Sequence, residues 1–191
     1  IHPKYEATTN KHYHDEYKLL EGLSEEMDLR VVIEKGEDMD IAGTYVQRFS
    51  FPPLRALELL VGLLWFRLQG YADTYTHYSY YGGMITGILS TLLGGTSYYW
   101  NCEEVERIAL RDTFYWQLWG QLRGRLPFYL SLYLTDVLVT GTETMKEYYV
   151  ETYGLAAETV RTLPNWVDSE RFAALPEKQA AREELGLPSE G

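Results

Sequence analysis

A single cysteine, Cys102, in 191 residues rules out an intramolecular disulfide and leaves nothing that demands an oxidising compartment. Basic residues are also scarce: 17 Lys and Arg stand against 28 Asp and Glu, a formal net charge of -11. That balance argues against nucleic acid as the main partner and against purely electrostatic adhesion to anionic lipid, because both need a basic face. Residues 74–102 contain no Asp, Glu, Lys or Arg at all. A membrane span needs ~20 apolar residues, and this stretch fails that test. Its apolar part, Met84 to Leu93, is too short, and the rest is studded with Thr, Ser, Tyr and paired glycines. A strand, a tightly packed helix and a second strand inside a sheet explain the missing charge better. The chain opens Ile1-His2-Pro3, with no signal peptide and no apolar run that would make a first strand. Both ends read as cut, and a cytoplasmic protein is expected. Neither a phosphate-cradling GxxxxGK[ST] run nor a supportable Ser-His-Asp spacing is present. No metal site is expected, since His12 and His14, two apart on a helix, diverge.

What is present is an ordinary globular balance, 46% hydrophobic and 24% charged, enough for one well-buried domain. Tyr13, Tyr17, Leu20, Leu23 and Met27 recur at helical steps behind Asn10, a plausible cap. Leu29 to Ile33 reads as a buried strand, Glu37 to Gly43 as an acidic loop, and Tyr45 to Phe49 as a short alternating strand. Pro52-Pro53 opens a second helix running to about Gln69, and its stripe Leu57, Leu60, Val61, Leu64 and Trp65 is expected to be core. Residues 103–134 predict one long helix or two, with a break near Gly124 to Pro127. Asp136 to Thr140 is then a short apolar strand, Gly141 to Thr144 a turn, Met145 to Tyr153 a helix closed by Gly154, and Val160 to Pro164 another strand. This order predicts an α/β fold with a parallel, doubly wound, Rossmann-like sheet and helices on both faces. In such sheets ligands bind beyond the carboxyl ends of the strands.

The last third, ending in Val160-Arg161-Thr162-Leu163-Pro164 and Asn165-Trp166-Val167-Asp168-Ser169-Glu170-Arg171-Phe172, resembles the close of the first domain of retaining glycosyltransferases of family four, which have the GT-B fold. Leu19 to Ile33, Asp73 to Gly83 and Thr96 to Cys102 can be laid along the same domain, though only the tail is specific. The resemblance implies an amino-terminal, acceptor-side domain over residues 1–175, with 176–191 starting a linker or second domain. That second, carboxyl-terminal domain would hold most of the donor nucleotide and lies outside these residues. The implied substrates are a nucleotide-diphosphate sugar and a carbohydrate or lipid-linked acceptor, with no cofactor and no metal.

Each candidate site residue has a plainer alternative. Asn165 belongs to the tail turn, where Asp168 can simply cap Ser169 to Arg171; the family's glycine is replaced by Trp166. His77, Tyr78, Ser79 and Tyr80, before Gly82-Gly83, could bond and stack on a sugar acceptor or merely fill space. Asn101 or Cys102 stands where the family keeps a histidine near the donor's anomeric centre, and Asn101 is the candidate catalytic residue. Glu103 and Glu104, adjacent and therefore pointing apart, read as a solvated helix start. Thr9 and Asn10 occupy the place of the family's glycine-rich loop, and Gly141 and Thr142 offer a similar helix start lining the cleft. The segment 107–133 interleaves Arg107, Arg111, Arg123 and Arg125 with Tyr115, Trp116 and Trp119. It could lie peripherally in a membrane interface or pack its rings beneath the domain.

The expected function is thus retaining transfer of a sugar from a nucleotide sugar, in cell-envelope polysaccharide or glycolipid synthesis, by a full-length enzyme of which this fragment alone is inactive. The alternatives are a sugar-nucleotide epimerase of related fold, or a non-catalytic binding or assembly domain that kept the architecture.

Overall fold

The computed structural model describes residues 1, 14–41, 43–103, 125–164 and 177–188. Six strands and six α-helices are laid out along these residues. Helix α1 (His14–Glu26) precedes β1 (Val31–Ile33) and β2 (Thr44–Val46). Then follow α2 (Pro52–Leu68), β3 (Thr74–His77), α3 (Tyr80–Leu93) and β4 (Ser97–Trp100). After residues 104–124 come α4 (Leu126–Leu134), β5 (Val137–Thr140), α5 (Glu143–Tyr153), a 3-10 turn (Ala157–Thr159), β6 (Val160–Thr162) and α6 (Lys178–Glu184).

Every strand pairing among the described residues is parallel, and helices connect β3 to β4 and the later strands. Strands β3-β4-β5-β6 form one sheet in that order, and β1-β2 form a second. Residues 136–140 therefore supply an interior strand. Ile1 lies along the outer edge of β3, its amino group on the Tyr75 carbonyl and its own carbonyl accepting from the His77 N–H at 2.9 Å. The Ile1 side chain packs on the cluster containing Val32 of β1, so this residue connects the two sheets.

Helices cover both faces. Tyr17 and Leu20 of α1 pack with Val31 and Ile33, while Leu59 and Leu63 of α2 pack with Val32 and with Ile85 and Leu89 of α3. Alternation along β1 thus sends successive side chains to opposite helical layers. A third cluster joins Tyr99, Leu138 and Val160 of the larger sheet to Phe128 and Leu132 of α4 and to Tyr149 and Tyr153 of α5.

The uncharged stretch 74–102 is the strand–helix–strand unit expected from its composition, and much of it is buried. Several of its hydroxyls are satisfied within the unit. Thr86 Oγ1 donates to the Gly82 carbonyl at 2.9 Å, and Ser90 Oγ lies 2.9 Å from the Gly87 carbonyl and 3.0 Å from Ser97 Oγ. Gly83 and Gly87 let α3 approach α4 closely. A Cβ at Gly87 would sit 2.6 Å from the backbone of Leu134, and one at Gly83 would sit 2.9 Å from Ser131 Cβ. Pro127 in the first turn of α4 sets its start, close to the break expected there.

Two expectations need correction. The alternating run Tyr45 to Phe49 is a strand only over Thr44–Val46. Beyond it the Arg48 and Phe49 N–H groups turn to the Glu58 carboxylate, at 2.9 and 3.2 Å, instead of to a neighbouring strand. The stripe on α2 is the larger miss. Leu57, Val61, Leu64 and Trp65 are exposed, Leu60 is half-buried, and the buried residues are Leu59 and Leu63. Helix α2 is apolar nearly all round, so periodicity alone did not tell which face meets the sheet.

Two outcomes follow from this packing. Gly87→Ala should destabilise the chain by about 1–3 kcal/mol, read by denaturant unfolding, because the added methyl meets rigid backbone. Acid should also loosen the base of the larger sheet. Burial pushes the Asp136 carboxyl up, but bonds from the Ser97 N–H and hydroxyl, at 2.8 and 2.7 Å, outweigh it and hold its pKa below the ordinary 3.8. A pKa lowered on folding gives stability that is present above the unfolded value and lost as pH falls through the folded one. Unfolding free energy should therefore decline as pH drops below about 4, and Asp136→Asn should flatten that decline.

Candidate functional site

The carboxyl ends of β1, β3, β4 and β5 place Glu34, residues 77–80, residues 101–103 and residues 141–142 along one edge of the fold. That is where a parallel sheet binds ligands.

The β3–α3 turn is the most constrained segment. Tyr78 has φ 51, the one non-glycine residue with positive φ among the described residues. A left-handed tyrosine is uncommon, and such strain of about 1–3 kcal/mol persists only where neighbours over-determine it. Here the Tyr78 N–H donates to the Trp100 carbonyl at 3.1 Å, and its ring stands edge-on to Trp100 and His77, with centroids 4.9 and 4.6 Å apart. His77 stacks on Trp100 at 4.5 Å, and both are buried. Tyr78 remains half-exposed at the tip of this aromatic group.

Ser79 then caps α3, its Oγ accepting from the Gly82 N–H at 2.9 Å. The same hydroxyl donates to Glu34, a buried carboxylate that also meets Arg55 of α2 at 3.3 Å. Glu34 thereby fills the positive start of α3. Glu143 lies in the first turn of α5, where Thr142 Oγ1 caps the Met145 N–H at 3.1 Å. Both helix starts carry a carboxylate, which disfavours a phosphate at either one.

At the tip of β4, Asn101 is fully buried and its amide is satisfied from within. Its Nδ2 donates to Tyr99 Oη at 2.8 Å, and its Oδ1 accepts from the Glu103 N–H at 2.7 Å and from Tyr149 Oη at 2.8 Å. Tyr149 Oη also lies 3.0 Å from the Glu103 carbonyl. This residue braces the strand tip. Cys102 is half-buried, its Sγ accepting from the Gly141 N–H at 2.9 Å and lying 3.2 Å from Thr140 Oγ1.

The network leaves Glu103 exposed, with its backbone held on both sides. Its carboxylate accepts from Tyr80 Oη. Burial, and then the Glu103 carboxylate, push the Tyr80 hydroxyl well above the usual phenol range, while burial chiefly raises Tyr149 and Tyr99. All three stay protonated donors at neutral pH. The arrangement holds a fixed carboxylate, a phenol and the half-exposed Tyr78 on neighbouring strand tips, suited to binding and orienting a polyhydroxy molecule.

His77, Tyr78, Ser79, Tyr80 and Asn101 thus gather on the adjacent tips of β3 and β4, with Gly141 and Thr142 at the tip of β5. Thr9, Asn10 and Asn165 lie outside the described residues, as do Glu104 and residues 107–124. Sequence reasoning passed over Glu34 and gave Glu103 only a solvated role. Glu34 had one signal, an acid directly behind an apolar strand; Glu103 had none, because its holder Tyr80 is distant in sequence. Among the described residues no three His, Cys, Asp or Glu side chains stand close enough to hold a metal ion.

Neither a family model nor a curated protein matches the chain. Solved structures do. UDP-GlcNAc 2-epimerase from Methanocaldococcus jannaschii superposes with a TM-score of 0.53 at 8% identity, over 79% of this chain and 42% of that one. Anabaena Alr3699/HepE, solved in complex with UDP, superposes with a TM-score of 0.51 at 11% identity, over 97% of this chain and 50% of that one. The shared feature is the fold, α/β and Rossmann-like. The chain spans half or less of the length of these two neighbours.

The Ser79 hydroxyl serves both the helix cap and the buried Glu34. Ser79→Ala should therefore cost about 1–3 kcal/mol in chemical denaturation, with most of it recovered in Ser79→Thr.

Proposed function

We propose that the chain is the amino-terminal, acceptor-side lobe, over residues 1–175, of a glycosyltransferase of GT-B architecture. The full-length enzyme moves a sugar from a nucleotide-diphosphate sugar to a carbohydrate or lipid-linked acceptor, with retention as in family four and without a metal. A role in cell-envelope polysaccharide or glycolipid synthesis at the cytoplasmic side belongs to the same reading. The observation that carries it is the pairing of acceptor-like chemistry at the strand tips with carboxylates at the starts of α3 and α5. Hydroxyls are welcome on this edge, and the donor's diphosphate is left to the second lobe. UDP bound to one neighbour and a UDP-sugar substrate named for the other support the donor class.

In this mechanism the Glu103 carboxylate, aimed by Tyr80, takes the proton of the acceptor hydroxyl as that oxygen bonds to the anomeric carbon on the face the leaving group vacates. The bond from that carbon to the phosphate oxygen breaks meanwhile, and the nucleoside diphosphate departs with the electron pair. Asn101 and Tyr149 position that carboxylate through the backbone and do not touch substrate. Tyr78 lays its ring against the acceptor.

The epimerase neighbour favours a second reading, in which one UDP-sugar is converted to its epimer with no acceptor. A donor screen on the full-length protein separates the two. Transfer shows as nucleoside diphosphate release that rises with acceptor, and epimerisation as a changed UDP-sugar without acceptor. The 191-residue chain alone should release none; release by it would overturn the lobe assignment. Glu103→Gln in the full-length protein should lower kcat about 10²-fold with an unchanged unfolding midpoint. A normal kcat would remove Glu103 from the chemistry.

A further inference from the structure

Ile1 stands between the edges of the two sheets. Along β3 the Thr74 and Tyr78 N–H groups bond to the β4 side, at 2.9 and 3.1 Å, so Tyr75 and His77 address the other side. Ile1 meets them there, with its amino group on the Tyr75 carbonyl and its carbonyl on the His77 N–H. One residue bonding through both backbone groups to residues two apart is the pattern of a parallel ladder, and it sets Ile1 opposite Thr76. On β1 the Ile33 carbonyl accepts from the Gln47 N–H at 2.9 Å, so Val31 and Ile33 address β2. Val32, lying between them, turns its N–H and C=O the opposite way. Among the described residues β1 has a strand on one side only. The side chains of Val32 and Ile1 share one apolar cluster, which brings that second side of β1 toward Ile1.

Burial tells what fits between these edges. Val31, Val32 and Ile33 are all buried, as in a strand covered on both faces. Leu59, Leu63, Ile85 and Leu89 lie over one face, and Tyr17 and Leu20 over the other. Between such layers an unpaired strand edge keeps N–H and C=O groups from water, each at a cost comparable to a lost hydrogen bond. A strand that completes the ladder must therefore run parallel to β1 and β3 and be apolar on both faces. Its last residue is already in register as Ile1. A strand from a second copy is the poorer occupant, because it would have to stop against the Ile1 amino group instead of continuing through it.

We propose that the residues directly before Ile1 in the full-length protein form a parallel, apolar strand between β1 and β3 and make the two sheets one. The order becomes β2-β1, the added strand, then β3-β4-β5-β6, and its direction reverses between the added strand and β3. Open α/β sheets bind ligands at such a reversal. Ile1 and Tyr78 then mark the middle of the candidate edge, with Glu34 to one side and Glu103 to the other. Either sugar reaction is compatible with this sheet.

The first test is the sequence of the full-length protein, where about five residues before Ile1 should be apolar and free of proline. Charges or proline in those positions, or a full-length chain that starts at Ile1, overturn the proposal. Deleting that segment from the full-length protein should lower its thermal midpoint by at least about 5 °C. A synthetic peptide of the deleted sequence should restore the midpoint, and a copy with proline at its centre should not. An unchanged midpoint, or equal restoration by both peptides, overturns the proposal. Amide hydrogen exchange on the intact full-length protein needs no variant. There the Val32 N–H should exchange as slowly as the paired amides of β1 and β2, and exchange as fast as an exposed loop amide overturns the strand. Protection of Val32 that appears only as the protein dimerises overturns it in favour of a second copy. Nucleoside diphosphate release, measured in parallel, tests the proposed activity separately.

Discussion

The buried Glu34 carboxylate is the interaction on which the candidate edge of this protein rests. It sits at the end of one sheet, accepts from the hydroxyl that caps the first helix beyond the other, and meets an arginine from the helix that crosses between them. Removing one partner of such a group leaves a charge stranded away from water, which is far more costly than the pairing is stabilising. The positions of β1, α2 and α3 relative to one another are therefore coupled through a single side chain. The strained Tyr78, directly before that cap, inherits its precision.

The same carboxylate shapes the chemistry. A helix start at a strand tip ordinarily invites an anion. In this lobe α3 is occupied by Glu34 and α5 opens with Glu143, so the field along the edge favours donors over phosphates. Glu103 adds a third negative group, exposed and held by a tyrosine that stays protonated. The proposed transferase reading uses that field, with neutral hydroxyls handled along this edge and the donor's diphosphate elsewhere.

Much of the architecture could be read from local pattern. Thr142 and Gly154 mark the two ends of α5 by cap chemistry, and the absence of charge over residues 74–102 located the buried centre. What escaped depended on distant partners. The outward face of α2 carries the same residue types as its inward face, so only the sheet's position distinguishes Leu59 from Val61. Asn101 was legible as a polar residue at a strand tip, but Tyr149, 48 positions later, consumes its oxygen and makes it a brace. Ser79 and Glu34 are separated by 45 positions, and no spacing rule connects them. Glu103 was judged by its neighbour Glu104, whereas its orientation comes from Tyr80.

The Cys102 sulfur has a consequence for how this edge can be watched. It receives the N–H at the start of the next strand's turn and rests against Thr140, so the tips of β4 and β5 are fastened through a polarizable atom. A bulky thiol reagent reaches the half-buried sulfur more readily when that fastening opens. Because the chain has no other cysteine, its labelling rate reports directly on how often the two tips part, and a ligand that clamps the edge would slow it.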